Sequence, residues 1–497
     1  MRLLARVLLL LLVVAITGCA DQKRDSIAFG LNTAPVTLDP RYATDAVSYR
    51  ITRLIYRSLV DFDDAFKPVP QLASWEQPGP RHYRFTLSDQ GRQFHNGTYL
   101  TAQDVKATYE SVLDPAQVSP HRSSVDMIDR IEIIDDDTLD FFLDSDDPLF
   151  PGRLVIGILP ADLLQAGHPF QQQPVGSGPV KFEAWPDESR LQLRRLRDGQ
   201  ILEMLTIKDP TVRTLKLLRG EIDLLQGNLS PENVGWLEQQ PAIHVRKKEG
   251  DTFSYLGFNL QDKITGQLKV RQAIAHAIDR DAIIHYVLGD SARLAEAILP
   301  PVHWAGHSHL KGNSYNPARS RQLLAELGYD KSNPLQISYK TSNNPFRLRL
   351  ATIIQSQLQE VGIEAEIQSF DWGTFYADIK SGRFQMYGLS WVGLKMPDIF
   401  RYVFHSSSIP PAGANRGQLQ DEHVDTLIEL AESEQELVAK ARHYRELQTY
   451  LAEVLPYVAL WYEDNVLAVR KDISGYTLAT DGNFDALTKV QRIHTNG

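Results

Sequence analysis

The sequence predicts an α/β protein built of more than one lobe. Strand-like and helix-like stretches alternate along the chain, which favours sheets covered by helices. At 497 residues the chain is long enough for two or more folded units. No Pro-, Gly- or Ser-rich linker separates them, so the chain is expected to cross between lobes rather than string them as beads. Apolar residues make up 43% and charged residues 23%, the balance of a globular protein with a substantial core.

The chain opens with Arg2 and Arg6 and a run of 10 apolar residues, Val7 to Ile16, followed by Ile16-Thr17-Gly18-Cys19. Charge followed by a short apolar core is the shape of a secretion signal. The run falls well short of the roughly 20 residues that cross a bilayer. An aliphatic residue, two small ones and a cysteine resemble a bacterial lipobox. That resemblance implies a signal peptide over residues 1–18, cleavage before Cys19, lipidation of its thiol and amine, and a lipidated tether over residues 19–25. Cys19 is the one cysteine of the chain, so the exported protein would carry neither a disulfide nor a free thiol. The net charge of −10 and the lack of a basic stripe argue against a nucleic-acid partner.

The folded elements follow in order. Tyr83 to Leu87 alternates as a half-buried strand, and Asn96-Gly97 marks a turn. Thr101 and Asp104 have capping-box spacing ahead of a helix through Val105, Tyr109 and Val112. Ile131 to Ile134 and Thr138 to Leu143, around three aspartates, predict a hairpin. Asp279 caps a helix expected to end at Gly289. Asn316 with Pro317 starts a helix that Gly328 closes. Leu350, Ile354, Leu358 and Val361 share one helical face ending at Gly362, and Ile363, Ala365 and Ile367 then alternate as a strand. Ser433 and Glu436 predict a capping box before a long helix stopped near Pro456.

Several short motifs carry a resemblance when taken in order. They are Leu38-Asp39-Pro40 with Asp45; Phe94-His95-Asn96-Gly97; Thr101 to Val105; Gly176-Ser177-Gly178-Pro179; Gly220-Glu221-Ile222-Asp223; and Phe258-Asn259 followed by Val270 to Arg280, which reads VRQAIAHAIDR. Together they are similar to extracellular solute-binding proteins that feed peptides, and sometimes nickel or other solutes, to ABC transporters. Read residue by residue the motifs are structural. Gly97 and Gly178 serve turns, Thr101 and Asp279 cap helices, and Ala273 and Ala277 allow close helix packing. The GSG stretch lacks the lysine and spacing of a phosphate loop.

The resemblance implies a two-lobed clamshell of the type II periplasmic-binding-protein class, in its large form with an inserted subdomain. Lobe I is expected from residues 26–54, 176–258 and 463–497, the inserted subdomain from 55–175, and lobe II from 259–462. The implied function is capture of a peptide or peptide-like solute between the lobes and delivery to an ABC permease in the inner membrane. The implied state is a monomer on the extracytoplasmic side, periplasmic or cell-surface, held to the membrane by its lipid alone and with no cofactor. Alternatives within the fold are a metal complex, a modified or opine-like solute, or a sensor role. An exported hydrolase finds no support: the sequence has no G-x-S-x-G elbow, no H-E-x-x-H helix and no catalytic cysteine.

By the same resemblance three segments face the cleft: Asn32-Thr33-Ala34-Pro35, then Trp391-Val392-Gly393-Leu394, then Trp461-Tyr462. Aromatic rings suit such a site because they offer large apolar area at little entropy cost. From composition alone, both tryptophans read as core. One position departs from the family. Peptide-binding relatives commonly read W-x-[GA]-D, and that aspartate pairs with the peptide ammonium; here Leu394 stands in its place. An uncompensated ammonium in a closed cleft costs several kcal/mol. Either another acid reaches the site, with Asp398 the candidate, or the ligand lacks a free amine. His303, His307 and His309 cluster in one loop, but no acid or cysteine completes a metal set, and they read as a solvated loop.

Overall fold

A computed structural model describes residues 25–493. Cys19 and the lipobox lie outside them. One 11-stranded mixed sheet runs through the molecule. Named from one edge, its strands are Ile363–Phe370, Leu335–Ser342, Met386–Trp391, Ile243–Phe258, Tyr457–Arg470, Leu224–Gln226, Ile27–Leu31, Ile201–Thr206, Arg190–Arg195 and Val180–Asp187; Ala292–Leu294 joins along Tyr457–Arg470.

Two of these strands set the architecture. Ile243–Phe258 has 16 residues and Tyr457–Arg470 has 14, and they pair antiparallel from Ile243 opposite Arg470 to Gly257 opposite Tyr457. At one end Ile243 packs with Ala28, Leu217 and Leu225. At the other, Leu256 and Phe258 pack with Ile274, Leu335 and Ile354. The pair therefore joins two cores. Between them the register slips, once between Lys248 and Thr252 and again between Ser254 and Tyr255. A bulge of this kind bends a strand and raises its twist.

The first core draws on Ile27, Phe29, Ile51, Leu54, Leu193, Met204, Val469 and Tyr476. Between Leu59 and Ile158 the chain forms its own core around Phe85, Tyr109 and Phe141. Here a four-stranded antiparallel sheet, Ala73–Gly79, His82–Leu87, Thr138–Leu143 and Ile128–Ile133, packs on helix Ala102–Leu113. The residues from Phe253 to Tyr462 build two clusters, one around Ile274 and Ile354 and one around Tyr387, Phe400 and Tyr444.

Local chemistry explains most element ends. Asp104 reaches back to the Thr101 backbone N–H at 2.8 Å, closing the capping box of helix Ala102–Leu113. Asn316 accepts from Arg319 N ahead of Pro317, and Gly362 takes φ +96 after helix Pro345–Val361, a conformation that favours glycine. Gly178 is required by close approach: its N–H meets Ile55 O at 2.8 Å, and a Cβ there would strike the Ile55 carbonyl.

Two expectations need correction. Asp279 does cap, accepting from Ala282 N, but only Arg280–Ala282 is α-helical; Ile283–Val287 opens into a wider π turn that buries Ile283 and Val287 and leaves Tyr286 outside. Ser433 caps nothing. It ends helix Glu422–Ser433, its hydroxyl donating to Leu430 O, and Glu436 itself caps Leu437–Val454 by accepting from Ala439 N.

Candidate functional site

The buried arginines of the VRQAIAHAIDR segment explain why that segment sits where it does. Arg271 donates to the carbonyls of Leu455, Val454, Thr265 and Gly266 at 2.7–2.9 Å. Arg280 donates to Ala295 O and Ala459 O at 2.8 and 3.0 Å and pairs with Glu296. Arg271 fastens helix Leu268–Ala277 to the end of helix Leu437–Val454, and Arg280 fastens its sequel to the Tyr457–Arg470 strand. They position the wall of a site rather than forming one.

That wall ends at strand Met386–Trp391, which pairs with the crossing strand so that Trp391 lies opposite Phe253 and Ser390 opposite Ser254. Trp391 is half-buried. The Arg416 guanidinium lies 4.8 Å from its ring centroid and 5.2 Å from that of Tyr376, and Tyr402 meets it edge-on at 6.2 Å. Ser254 lies 2.7 Å from Ser390 and 2.6 Å from Glu463, whose carboxylate pairs with Arg347 at 2.6 Å. Val392 is exposed, and Gly393 turns the chain at φ +68.

The loop after Gly393 reaches across to the other cores. Leu394 is 7% exposed and packs in the cluster of Phe400 and Tyr444. Lys395 pairs with Asp481 at 2.7 Å and lies 3.7 Å from Asp61. Burial works against the Lys395 ammonium, but Asp481 and the charges behind it hold its proton more tightly than usual. Burial also works against the Asp481 carboxylate, and Lys395 brings it down to about 2. Asp398 faces Arg153 at 3.3 Å, and Arg153 also binds Asp147 at 2.5 Å. Burial raises the Asp398 carboxyl above its ordinary value and Arg153 only partly offsets this. The acid considered for a ligand amine is thus committed to a cross-chain ion pair.

The other segments lie elsewhere. Asn32 to Pro35 follow strand Ile27–Leu31. Thr33, Ala34 and Pro35 edge a broad groove of about 1420 Å³ with His95, Gln172 and Trp185, to which residues 259–462 contribute nothing. Trp461 and Tyr462 are 1% and 2% exposed. The Tyr462 hydroxyl sits 2.5 and 2.9 Å from the Ala297 and Leu299 carbonyls, a structural anchor. Of the three segments, the second runs into the loop whose Lys395 and Asp398 meet the opposing core, Trp461 and Tyr462 lie in the sheet with the crossing strand between them and Trp391, and the first stands apart.

The histidine loop also differs from expectation. His303 is 2% exposed, not solvated. Its ring lies 3.1 Å from Lys395 O, and burial lowers its pKa to about 4. It packs at 5.0 Å from the Phe66 ring and so braces the same contact. Among the described residues no group of three His, Cys, Asp or Glu side chains could hold a metal. No helix among them is long and apolar enough to cross a membrane.

Residue-by-residue reading missed the charged groups of this seam. Arg153, Asp481 and Arg416 carry no local motif. Asp251 does carry one faint mark: it is a carboxylate that leads directly into the apolar, hydroxyl-bearing stretch Thr252-Phe253-Ser254-Tyr255.

The profile of bacterial extracellular solute-binding proteins, family 5, matches residues 67–410. Di/tripeptide-binding protein 2 of Pseudomonas aeruginosa is 27% identical over 95% of this chain and 96% of its own. Two solved structures superpose with a TM-score of 0.84 over 94% of this chain: DppA of Helicobacter pylori in complex with the peptide STSA, 27% identical with 98% of its chain covered, and NikZ of Campylobacter jejuni in complex with Ni(L-His), 25% identical with 99% covered. The architecture is accordingly the type II periplasmic-binding-protein fold, and the chain belongs to the bacterial extracellular solute-binding proteins of family 5.

Proposed function

We propose that this protein captures peptides or peptide-like solutes between two lobes and delivers them to an ABC permease, without chemical turnover. One observation carries the reading. Two long antiparallel strands join separate cores, and beside them the 393–398 loop docks across the gap through Lys395–Asp481 and Arg153–Asp398. Contacts of that kind break and form when lobes rotate about a strand hinge. The peptide-binding relatives support the choice of solute class.

The lobes follow the cores. Lobe I takes residues 26–54, 176–258 and 463–497, with 55–175 inserted, and lobe II takes 259–462. The insertion core spans Leu59 to Ile158, while Ile55, Tyr56, Leu159 and Phe170 pack with lobe I and favour a slightly tighter insertion. Within the cleft, Trp391, Val392 and Gly393 form the lobe II wall. Thr33 to Pro35 edge a separate groove on lobe I, and Leu394, Trp461 and Tyr462 support the wall from the core. The protein works as a monomer outside the cytoplasmic membrane, anchored through lipid on Cys19.

A defined tripeptide pool tests this. Binding should raise the unfolding temperature, by about 2.7 kcal/mol of stabilisation at a hundredfold excess over the dissociation constant, and the peptides should be recovered intact. An unchanged midpoint, or cleaved peptides, would overturn the reading.

A further inference from the structure

The bulge in the crossing strand buries a carboxylate that has nothing to bind. Asp251 is 1% exposed, and neither of its oxygens accepts a hydrogen bond. It lies between the pairs Lys248–Asn465 and Thr252–Glu463, where the strand leaves one core for the other.

Three elements turn charge toward it: Asp481 from the turn after Thr480, Lys395 from the cross-chain loop, and Arg50 from helix Ala46–Ile55. Neither cation is uncommitted. Lys395 is held by Asp481 and Asp61. Arg50 donates to the Asp481 carbonyl at 3.4 Å and lies 5.4 Å from the Phe484 ring centroid. Arg53, one turn on, bridges Asp61 and Asp485. The cluster thus sets Asp61, Asp251, Asp481 and Asp485 against Arg50, Arg53 and Lys395, one cation short. A buried carboxylate without a partner is expensive to keep. The cluster also shows its own chemistry, since it already holds one primary ammonium, that of Lys395. Lys395 belongs to the opposing lobe, so opening the cleft withdraws its charge from Asp251.

We propose that Asp251 receives a cationic group of the solute, a protonated amine or a guanidinium, on the hinge side of the cleft. This rests on the solute-binding reading above. It places the acid on the crossing strand, because Asp398 is occupied by Arg153 and Leu394 is turned into the core. With no cation bound, burial and Asp481 push the Asp251 carboxyl up to about 7. A bound cation favours its ionised form, so binding at neutral pH expels a proton to buffer.

Calorimetry on the protein with trialanine and N-acetyl-trialanine tests the site. Trialanine should bind about tenfold or more tightly than its acetylated form. It should release protons, read from the heat in two buffers of different ionisation enthalpy at pH 7. Asp251→Asn should lose both the preference and the proton release while binding N-acetyl-trialanine as before; Asp251→Ser is the second variant should the amide impair folding. Equal binding of the two peptides, or a preference that survives in Asp251→Asn, overturns the site and leaves the peptide reading standing. If neither peptide binds, the peptide reading falls and putrescine decides for Asp251. Binding to wild type but not to Asp251→Asn then sustains the site, and no binding removes it.

Discussion

Arg271 and Asp251 are both buried charged groups without an ion-pair partner, and they lead to opposite predictions. The Arg271 guanidinium is spent on four carbonyls. Arg271→Met keeps the apolar bulk but leaves those carbonyls without donors. Stability in urea should fall by roughly 2–4 kcal/mol; a loss below about 0.5 kcal/mol would mean that water replaces the donors. Asp251 has no such partners, and its carboxyl is raised from 3.8 to about 7. A group raised on folding holds its proton more tightly in the native state. Its contribution is complete below about pH 4 and is lost as pH rises through about 7, by up to ~4 kcal/mol. Asp251→Asn removes that loss. It should therefore unfold at a higher temperature than wild type at pH 8 and at a similar one near pH 4. Parallel curves across the range would contradict the raised carboxyl.

At the scale of elements, what could be read in the sequence was local. Thr101–Asp104, Asn316–Pro317 and Gly362 each act through backbone groups within four residues, so spacing alone reveals them. Ser433 misled because the serine-to-glutamate spacing is equally compatible with one helix ending and the next being capped by the glutamate. The role of the 393–398 loop was not legible. Lys395 finds Asp61 and Asp481, and Asp398 finds Arg153, across long stretches of chain, and no periodicity encodes such pairs. His303 was misjudged for the same reason, since its burial depends on Phe66 and on the Lys395 carbonyl. Lys395→Met removes the ammonium that ties the loop to Asp481 and Asp61, which on the proposed clamshell favours the open form. The variant without ligand should have a larger radius of gyration than wild type; an unchanged radius would show that Arg153–Asp398 and packing hold the loop alone.

At the scale of the molecule, the α/β class was visible in the alternation of elements. The ordered motifs identified the family. What composition could not supply was the side-chain set of the cleft, because Asp251, Arg50, Lys395 and Asp481 come from four separate stretches and meet only through the fold. The N-terminal expectation has its own test: Cys19→Ser should abolish labelled palmitate incorporation and release the protein from membranes, and equal labelling of both forms would remove the anchor. The central claim is closure of two lobes on a solute. Small-angle scattering before and after saturation with trialanine measures it most directly. The account predicts a smaller radius of gyration in the complex, with a change in tryptophan fluorescence from Trp391. Saturation that leaves both unchanged would contradict it.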